Sequence, residues 1–162
     1  NSMISDSTIG DKCEVLSSVI RDSHLGDRVD VGPFSHIRGG SRLESGVHVG
    51  TSAEIKNSHL GPDTKMGHFS YMGDAHLGSN VNIGAGAITC NFDGENKNET
   101  HIGDDVFVSC DTMLIAPVTL GNRSSTGAGA VVTKDVAADS LVVGVPAREF
   151  PKRPKLDKES NS

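Results

Sequence analysis

The sequence predicts an all-β parallel solenoid, and three observations carry that prediction. Aliphatic residues recur with a step of six: Leu25, Val31, Ile37, Leu43, Val49 and Ile55 stand six apart, and Leu60, Met66, Met72, Leu77 and Ile83 continue in steps of five or six. After an interruption Ile102, Val108, Leu114, Leu120, Thr126 and Val132 close the series. Four residues after most beats comes a small or β-branched residue, as at Val29, Ser35, Ser41, Val47, Ala53, Thr64, Ser70, Val81, Ala87, Val106, Thr112, Val118, Ser124 and Ala130. The composition, with one Tyr, no Trp and 19 Gly in 162 residues, suits a narrow prism filled by one aliphatic side chain per side. A helix repeats apolar positions every three to four residues and an ordinary strand every two, so a fixed step of six marks stacked short strands joined by turns.

Three six-residue sides make one coil, and each beat then lies above the beat about eighteen residues earlier, with coils about 4.8 Å apart. The first face carries Ile9, Leu25, Leu43, Leu60, Leu77, Ile102 and Leu120. The second carries Val15, Val31, Val49, Met66, Ile83, Val108 and Thr126, and the third Ile20, Ile37, Ile55, Met72, Thr89, Leu114 and Val132. About seven coils result, forming one domain over residues 3–150. Between Thr89 and Ile102 a polar insertion at about residues 90–101 leaves the prism and returns in register. Such insertions emerge on one face and often build binding sites. At the ends, Asn1-Ser2 before Met3 reads as a cloning remnant, which leaves open a longer parent chain cut at Met3. Residues 151–162 lose all periodicity and read as a mobile basic and polar tail.

A net charge of −6 and a pI near 5.6 argue against nucleic acid as the main partner. The chain as given contains no apolar run of membrane length and opens on no charged-then-apolar leader. Cys13, Cys90 and Cys110 are odd in number and scattered, which points to neither a disulfide framework nor a zinc pair. The expectation is a cytoplasmic protein in a reducing setting, without membrane contact.

Three constellations bear on chemistry. Arg38 and Lys56 fall eighteen apart, each directly after a third-face beat, so they are stacked neighbours. Two cations about 5 Å apart repel by about 3 kcal/mol at an effective dielectric near 20. A bound anion, most naturally a phosphate, would account for the pair, with Gly73 leaving space on the next rung. Two long side chains splayed into water are the alternative. His68 is the second. Six histidines (His24, His36, His48, His59, His76, His101) immediately precede a beat, whereas His68 stands two after one, near the edge between the second and third faces. Tyr71 and the Arg38/Lys56 column are expected along that same edge. An imidazole beside an anion site suits a general base, although a surface histidine without a role is the commoner case for such a position. Third, His59, His76 and His101 share one first-face column. A straight column cannot readily surround one ion and no carboxylate or Cys shares it in sequence register, so no metal site is assigned.

Residues 82–97, Ile102–Val108, Leu114–Gly121 and Gly67–Asp74 together resemble the acetyltransferase domain of the bifunctional N-acetylglucosamine-1-phosphate uridyltransferase / glucosamine-1-phosphate acetyltransferase family, a hexapeptide-repeat family. The similarity runs from about Met3 to Val136 and includes the insertion. It implies a left-handed parallel β-helix, a homotrimer with active sites between subunits, and transfer of an acetyl group from acetyl-CoA to the amine of glucosamine-1-phosphate on the route to UDP-N-acetylglucosamine for the cell envelope. By the same resemblance His68 is the catalytic base, and Arg38, Lys56, Tyr71, Asn82 and Lys97 hold the amino-sugar phosphate. Ala85, Asn91, Phe92, Cys110 and Ala128 fall where the family binds acetyl-CoA. Backbone N–H groups of Gly84, Ala85 and Gly86 are candidates to stabilise the oxyanion. Cys110 departs from the family's usual Ser, and after Val136 the match fades: Val143–Arg148 resembles the ending common to many other hexapeptide acyltransferases, the Arg that the family places near CoA is replaced around Val145, and Arg148 is the candidate substitute for the CoA phosphate contact. No nucleotidyl-transfer motif is present, so uridyl transfer is not expected of this chain as given. The alternatives are an acyltransferase for another amino sugar, free or nucleotide-linked, and a non-catalytic β-helix that trimerises or binds.

Overall fold

The structure, a computed structural model, describes residues 1–151, and the tail expected from residue 151 onward lies, Pro151 apart, outside them. All regular structure among the described residues is strand, in pieces of two or three residues, and no helix is long and apolar enough to cross a membrane. The strands form three sheets of eight, seven and nine members, each joining every third strand of the chain except at the C-terminal end of the nine-stranded sheet, where the last two strands follow directly on one another. Beat stacks on beat. Leu25, Leu43, Leu60, Leu77, Ile102 and Leu120 are successive parallel partners on the first face. Val31, Val49, Met66, Ile83 and Val108 are partners on the second, and Ile20, Ile37, Ile55 and Met72 on the third.

The prism has about eight coils rather than the seven expected. Ile4 stacks under Ile20 on the third face and Val142 over Thr126 on the second, two rungs that the weakened rhythm at the ends concealed. Beyond Val142 the chain reverses, and Arg148–Phe150 pairs antiparallel with Leu141–Val143, covering the edge that a last parallel strand would expose.

One aliphatic side chain per side fills the interior, and the small residues between beats are buried as well. Several buried hydroxyls are satisfied by the following turn, Ser35 Oγ donating to Gly50 O at 2.6 Å, Thr64 Oγ1 to Gly78 O at 3.1 Å and Ser70 Oγ to Gly84 O at 3.0 Å, whereas those of Thr100 and Ser124 have no partner among the described residues. The corners turn through left-handed residues. Of the fifteen non-glycine residues with positive φ among those described, nine are Asp or Asn, the side chains that tolerate this region best. At Gly50 the stacking of corners leaves room for glycine alone, since a Cβ there would overlap the carbonyl oxygen of Gly67.

The insertion comprises residues 91–99, shorter at both ends than expected, because Cys90 still pairs with Ile115 and Thr100 with Ala75. It is a small hairpin, bridged between Phe92 and Lys97. Asp93 sets its turn: Oδ1 accepts the N–H groups of Glu95 and Asn96 at 2.8 and 2.7 Å, and Oδ2 accepts Asn98 Nδ2 at 2.9 Å.

Candidate functional site

The stacked cations are where the spacing put them, Lys56 pairing with Arg38 below and Gly73 above. The insertion adds a third, for Lys97 reaches back until its ammonium stands beside that of Lys56. This neighbour above all, then loss of solvent and Arg38, lowers the Lys56 amine below the usual lysine range, while Asp74 opposes the shift. Two features differ from expectation. Arg38 has its own counter-ion, since Nε and Nη2 both donate to Glu54 Oε1, at 2.9 and 2.7 Å. The space above Lys56 is filled by Tyr71, whose phenol oxygen would overlap a Cβ on Gly73. Glu54 stands under Tyr71 on the preceding coil, a cross-coil relation that single-residue reading of the cation column did not use.

Asp74 closes this edge. It is buried, and its carboxylate accepts Asn57 Nδ2 on Oδ1 at 2.6 Å and Asn91 Nδ2 on Oδ2 at 2.5 Å. Burial pushes its carboxyl up, but the two amides together with Lys97 and Lys56 bring it below the ordinary aspartate value. Asn91, expected at acetyl-CoA, is thus buried in the root of the insertion, and its Nδ2 also lies 3.5 Å from the Tyr71 hydroxyl. Phe92 projects from the hairpin, 60% exposed. The sequence signal for Asp74 was available: Asn57, Asp74 and Asn91 occupy the same corner on three successive coils.

His68 lies on the other edge of the third face. The sequence reading placed it on the edge of the Arg38/Lys56 column, but the strand Tyr71–Gly73 crosses the face between them. His68 and Gly73 are five positions apart in the chain, a span of up to about 17 Å when extended. His68 is exposed and makes no hydrogen bond among the described residues. It begins a column in which Ala85, Cys110 and Ala128 occupy the same corner on the next three coils, the backbone linked by Gly86 N–H to Phe69 O, Asp111 N–H to Ala85 O and Gly129 N–H to Cys110 O at 2.7–2.9 Å. The result is a shallow track of small side chains about 14 Å long at about 4.8 Å per coil. Arg148 pairs with Val143 at its far end. Of the three N–H groups proposed for an oxyanion, Gly84 donates to Val108 O and Gly86 to Phe69 O, which leaves that of Ala85. Asn82 stands on the second face between Lys65 and Phe107, away from the cation edge.

On the first face the histidine column has the expected register, with the His76 and His101 rings stacked at 5.0 Å. No carboxylate shares the column's register, as the spacing indicates, but two reach it from neighbouring positions. Glu99 Oε1 lies 3.7 Å from His76 Nε2 and Oε2 3.3 Å from His101 Nε2, and Glu44 Oε1 lies 3.0 Å from His59 Nε2. Among the described residues no group of three or more His, Cys, Asp or Glu side chains is arranged to hold a metal ion.

Residues 99–134 match the family model of the bacterial transferase hexapeptide (six repeats). Among solved structures, PerB from Caulobacter crescentus, in complex with CoA and GDP-perosamine, superposes with a TM-score of 0.68 at 24% identity over 76% of this chain. This chain spans 57% of the length of PerB. The polySia-specific acetyltransferase NeuO gives a TM-score of 0.64 at 16% identity over 99% of this chain and 90% of its own. A serine-to-alanine mutant of AntD, an N-acyltransferase from Bacillus cereus in complex with dTDP-4-amino-4,6-dideoxyglucose and coenzyme A, gives 0.58 at 16% identity over 93% of this chain and 85% of its own. At these identities the likeness establishes a shared fold, the hexapeptide-repeat β-solenoid.

Proposed function

We propose that this chain is an acyl-CoA-dependent N-acyltransferase whose acceptor is an amino sugar carrying a phosphate. The observation that carries this reading is the convergence of Arg38, Lys56 and Lys97 on one edge, three cations against the two carboxylates of Glu54 and Asp74. A phosphate there would bind the guanidinium fork and relieve the repulsion between the lysines. Acyl-CoA fits the other edge, with its arm along Ala85, Cys110 and Ala128, the thioester near His68 and a phosphate near Arg148. The neutral sugar amine attacks the thioester carbonyl, His68 takes the proton that the nitrogen loses as the C–N bond forms, and the C–S bond breaks to release CoA thiolate, to which the His68 imidazolium can return the proton. The Ala85 N–H is then the backbone donor available to the oxyanion.

The two edges lie across one face of a single copy, and a site that takes one edge from each of two copies fits a homotrimer with sites between subunits. Within this class the motif resemblance supports glucosamine-1-phosphate as acceptor. The second reading is a nucleotide-linked amino sugar, favoured by the GDP-perosamine and the dTDP-linked amino sugar held by structures of the same fold. The deciding test is CoA release from acetyl-CoA with glucosamine-1-phosphate, galactosamine-1-phosphate, UDP- and GDP-linked amino sugars, glucosamine and no acceptor. Turnover confined to sugar 1-phosphates supports the first reading, and turnover confined to nucleotide sugars the second. No release with any of them, alongside measurable binding, returns the fold to a non-catalytic binding role.

A further inference from the structure

Asp74 joins more of the candidate site than any residue the motif resemblance assigns. Its side chain holds Asn57 from the coil below and Asn91 from the start of the insertion. Its backbone N–H donates to Lys56 O and its carbonyl accepts Thr100 N–H, both at 3.1 Å, so it also grips the lysine strand and the far end of the insertion. A buried carboxylate costs heavily unless its charge is matched. Here both oxygens are occupied by neutral amides, and the matching charge comes from Lys56 and Lys97. Glu54 is committed to Arg38. With both oxygens engaged and the side chain withdrawn from the surface, Asp74 is not placed to act as a base.

We infer that Asp74 is a positioning residue of the phosphate site: it supplies the counter-charge that lets Lys56 and Lys97 stand side by side, and it anchors the insertion that carries Lys97 over them. This rests on the reading of the cation edge as a phosphate site. The groups facing Lys56 are Lys97 from the insertion, Arg38 from the coil below with Glu54 from the strand of Lys56 itself, Asp74 from the corner and Tyr71 over the next rung. Lys97 and Arg38 favour the neutral amine and Asp74 favours the ammonium. Removing the Asp74 charge therefore makes Lys56 lose its proton at lower pH.

Asp74→Asn separates charge from shape, because one flipped amide, on Asn57 or Asn91, restores a donor–acceptor match while the charge is gone. The experiment titrates the lysines of the full-length protein by NMR with carbon-13 at Cε, and measures binding of inorganic phosphate and glucosamine-1-phosphate from pH 6.5 to 9.5. In Asp74→Asn, Lys56 should titrate at lower pH than in the parent. Affinity for either anion should stay within about twofold at pH 6.5 and fall by about tenfold more than the parent's at pH 9, the loss of one charge-assisted contact. Asp74→Ala should also speed amide exchange across residues 91–99, measured beside Asp74→Asn. An unshifted Lys56, or a loss of affinity equal at every pH, overturns the inference in favour of a purely structural role. If the parent binds neither anion, the phosphate reading itself falls, and the lysine titration alone then decides whether Asp74 is the counter-charge of the pair.

Discussion

The two edges of the third face are built on opposite plans. Along the cation edge every group is answered by another: Arg38 by Glu54, Asp74 by Asn57 and Asn91, Lys56 and Lys97 by Asp74. Along the other edge His68 has no hydrogen-bond partner among the described residues, and the residues above it are Ala, Cys and Ala. A dense network holds positions before a ligand arrives, which suits a charged group that must be bound in one orientation. A bare imidazole beside a track of small side chains suits a reacting group and a long, flexible co-substrate. The difference teaches that a paired, charged edge and a bare edge of small side chains stand on either side of one three-residue strand; on the proposed function these are the recognition and the reaction halves of a site that two copies would complete.

The sharpest way to break this comparison is His68→Ala. Loss of a general base typically costs about 10²–10⁴-fold, so kcat should fall by that factor while binding of glucosamine-1-phosphate, measured by calorimetry, is kept. A parallel loss of binding would place His68 on the recognition side. Lys56→Ala should do the reverse. One charge-assisted hydrogen bond is worth about 1.5–3 kcal/mol, so KM for phosphorylated acceptors should rise by about 10- to 150-fold, with little change for an acceptor lacking phosphate. Mixing the two variants after dissociation sharpens the comparison further. If each site takes one edge from each of two neighbours, random reassembly of a cyclic oligomer restores about a quarter of the sites, and if both edges come from one copy it restores none.

Acid stability distinguishes the edges more gently. The Asp74 carboxyl is held below its ordinary value in the folded protein, so its contribution to stability is complete above the unfolded aspartate pKa of about 3.9 and is lost as pH falls through the folded value. Thermal melts should show the parent losing stability below about pH 4 more steeply than Asp74→Asn. Equal slopes would mean that other carboxylates dominate the acid limb.

What could be read from the sequence divides along the same line. Spacing alone located almost every rung, because one aliphatic side chain per side leaves a period that survives steps of five as well as six. It stacked Lys56 on Arg38 correctly for the same reason. It failed at the ends, where Ile4 and Val142 had no strong series to join, and it misplaced His68 because a hexad count gives the coil of a residue more readily than its distance across a face. It also missed Glu54, Asp74, Glu44 and Glu99. Their partners are set by how far a side chain reaches across coils and by the path of the insertion, neither of which is encoded in the period.

The smallest effect belongs to the first face, where Glu99 faces His76 and His101 at 3.7 and 3.3 Å across an exposed surface. Exposed pairs of this kind are worth about 0–1 kcal/mol and are screened by salt. Glu99→Gln should therefore lower the melting temperature by no more than about 4 °C, and the difference should vanish near 1 M salt. The hairpin that carries Lys97 is set by the Phe92–Lys97 bridge and the Asp93 turn, on the side of the insertion away from Glu99. Sugar-phosphate binding should for that reason stay within about twofold of the parent, as expected of a screened surface pair. A larger loss would show that the histidine column steadies the insertion and that the cation edge extends around the corner to the first face.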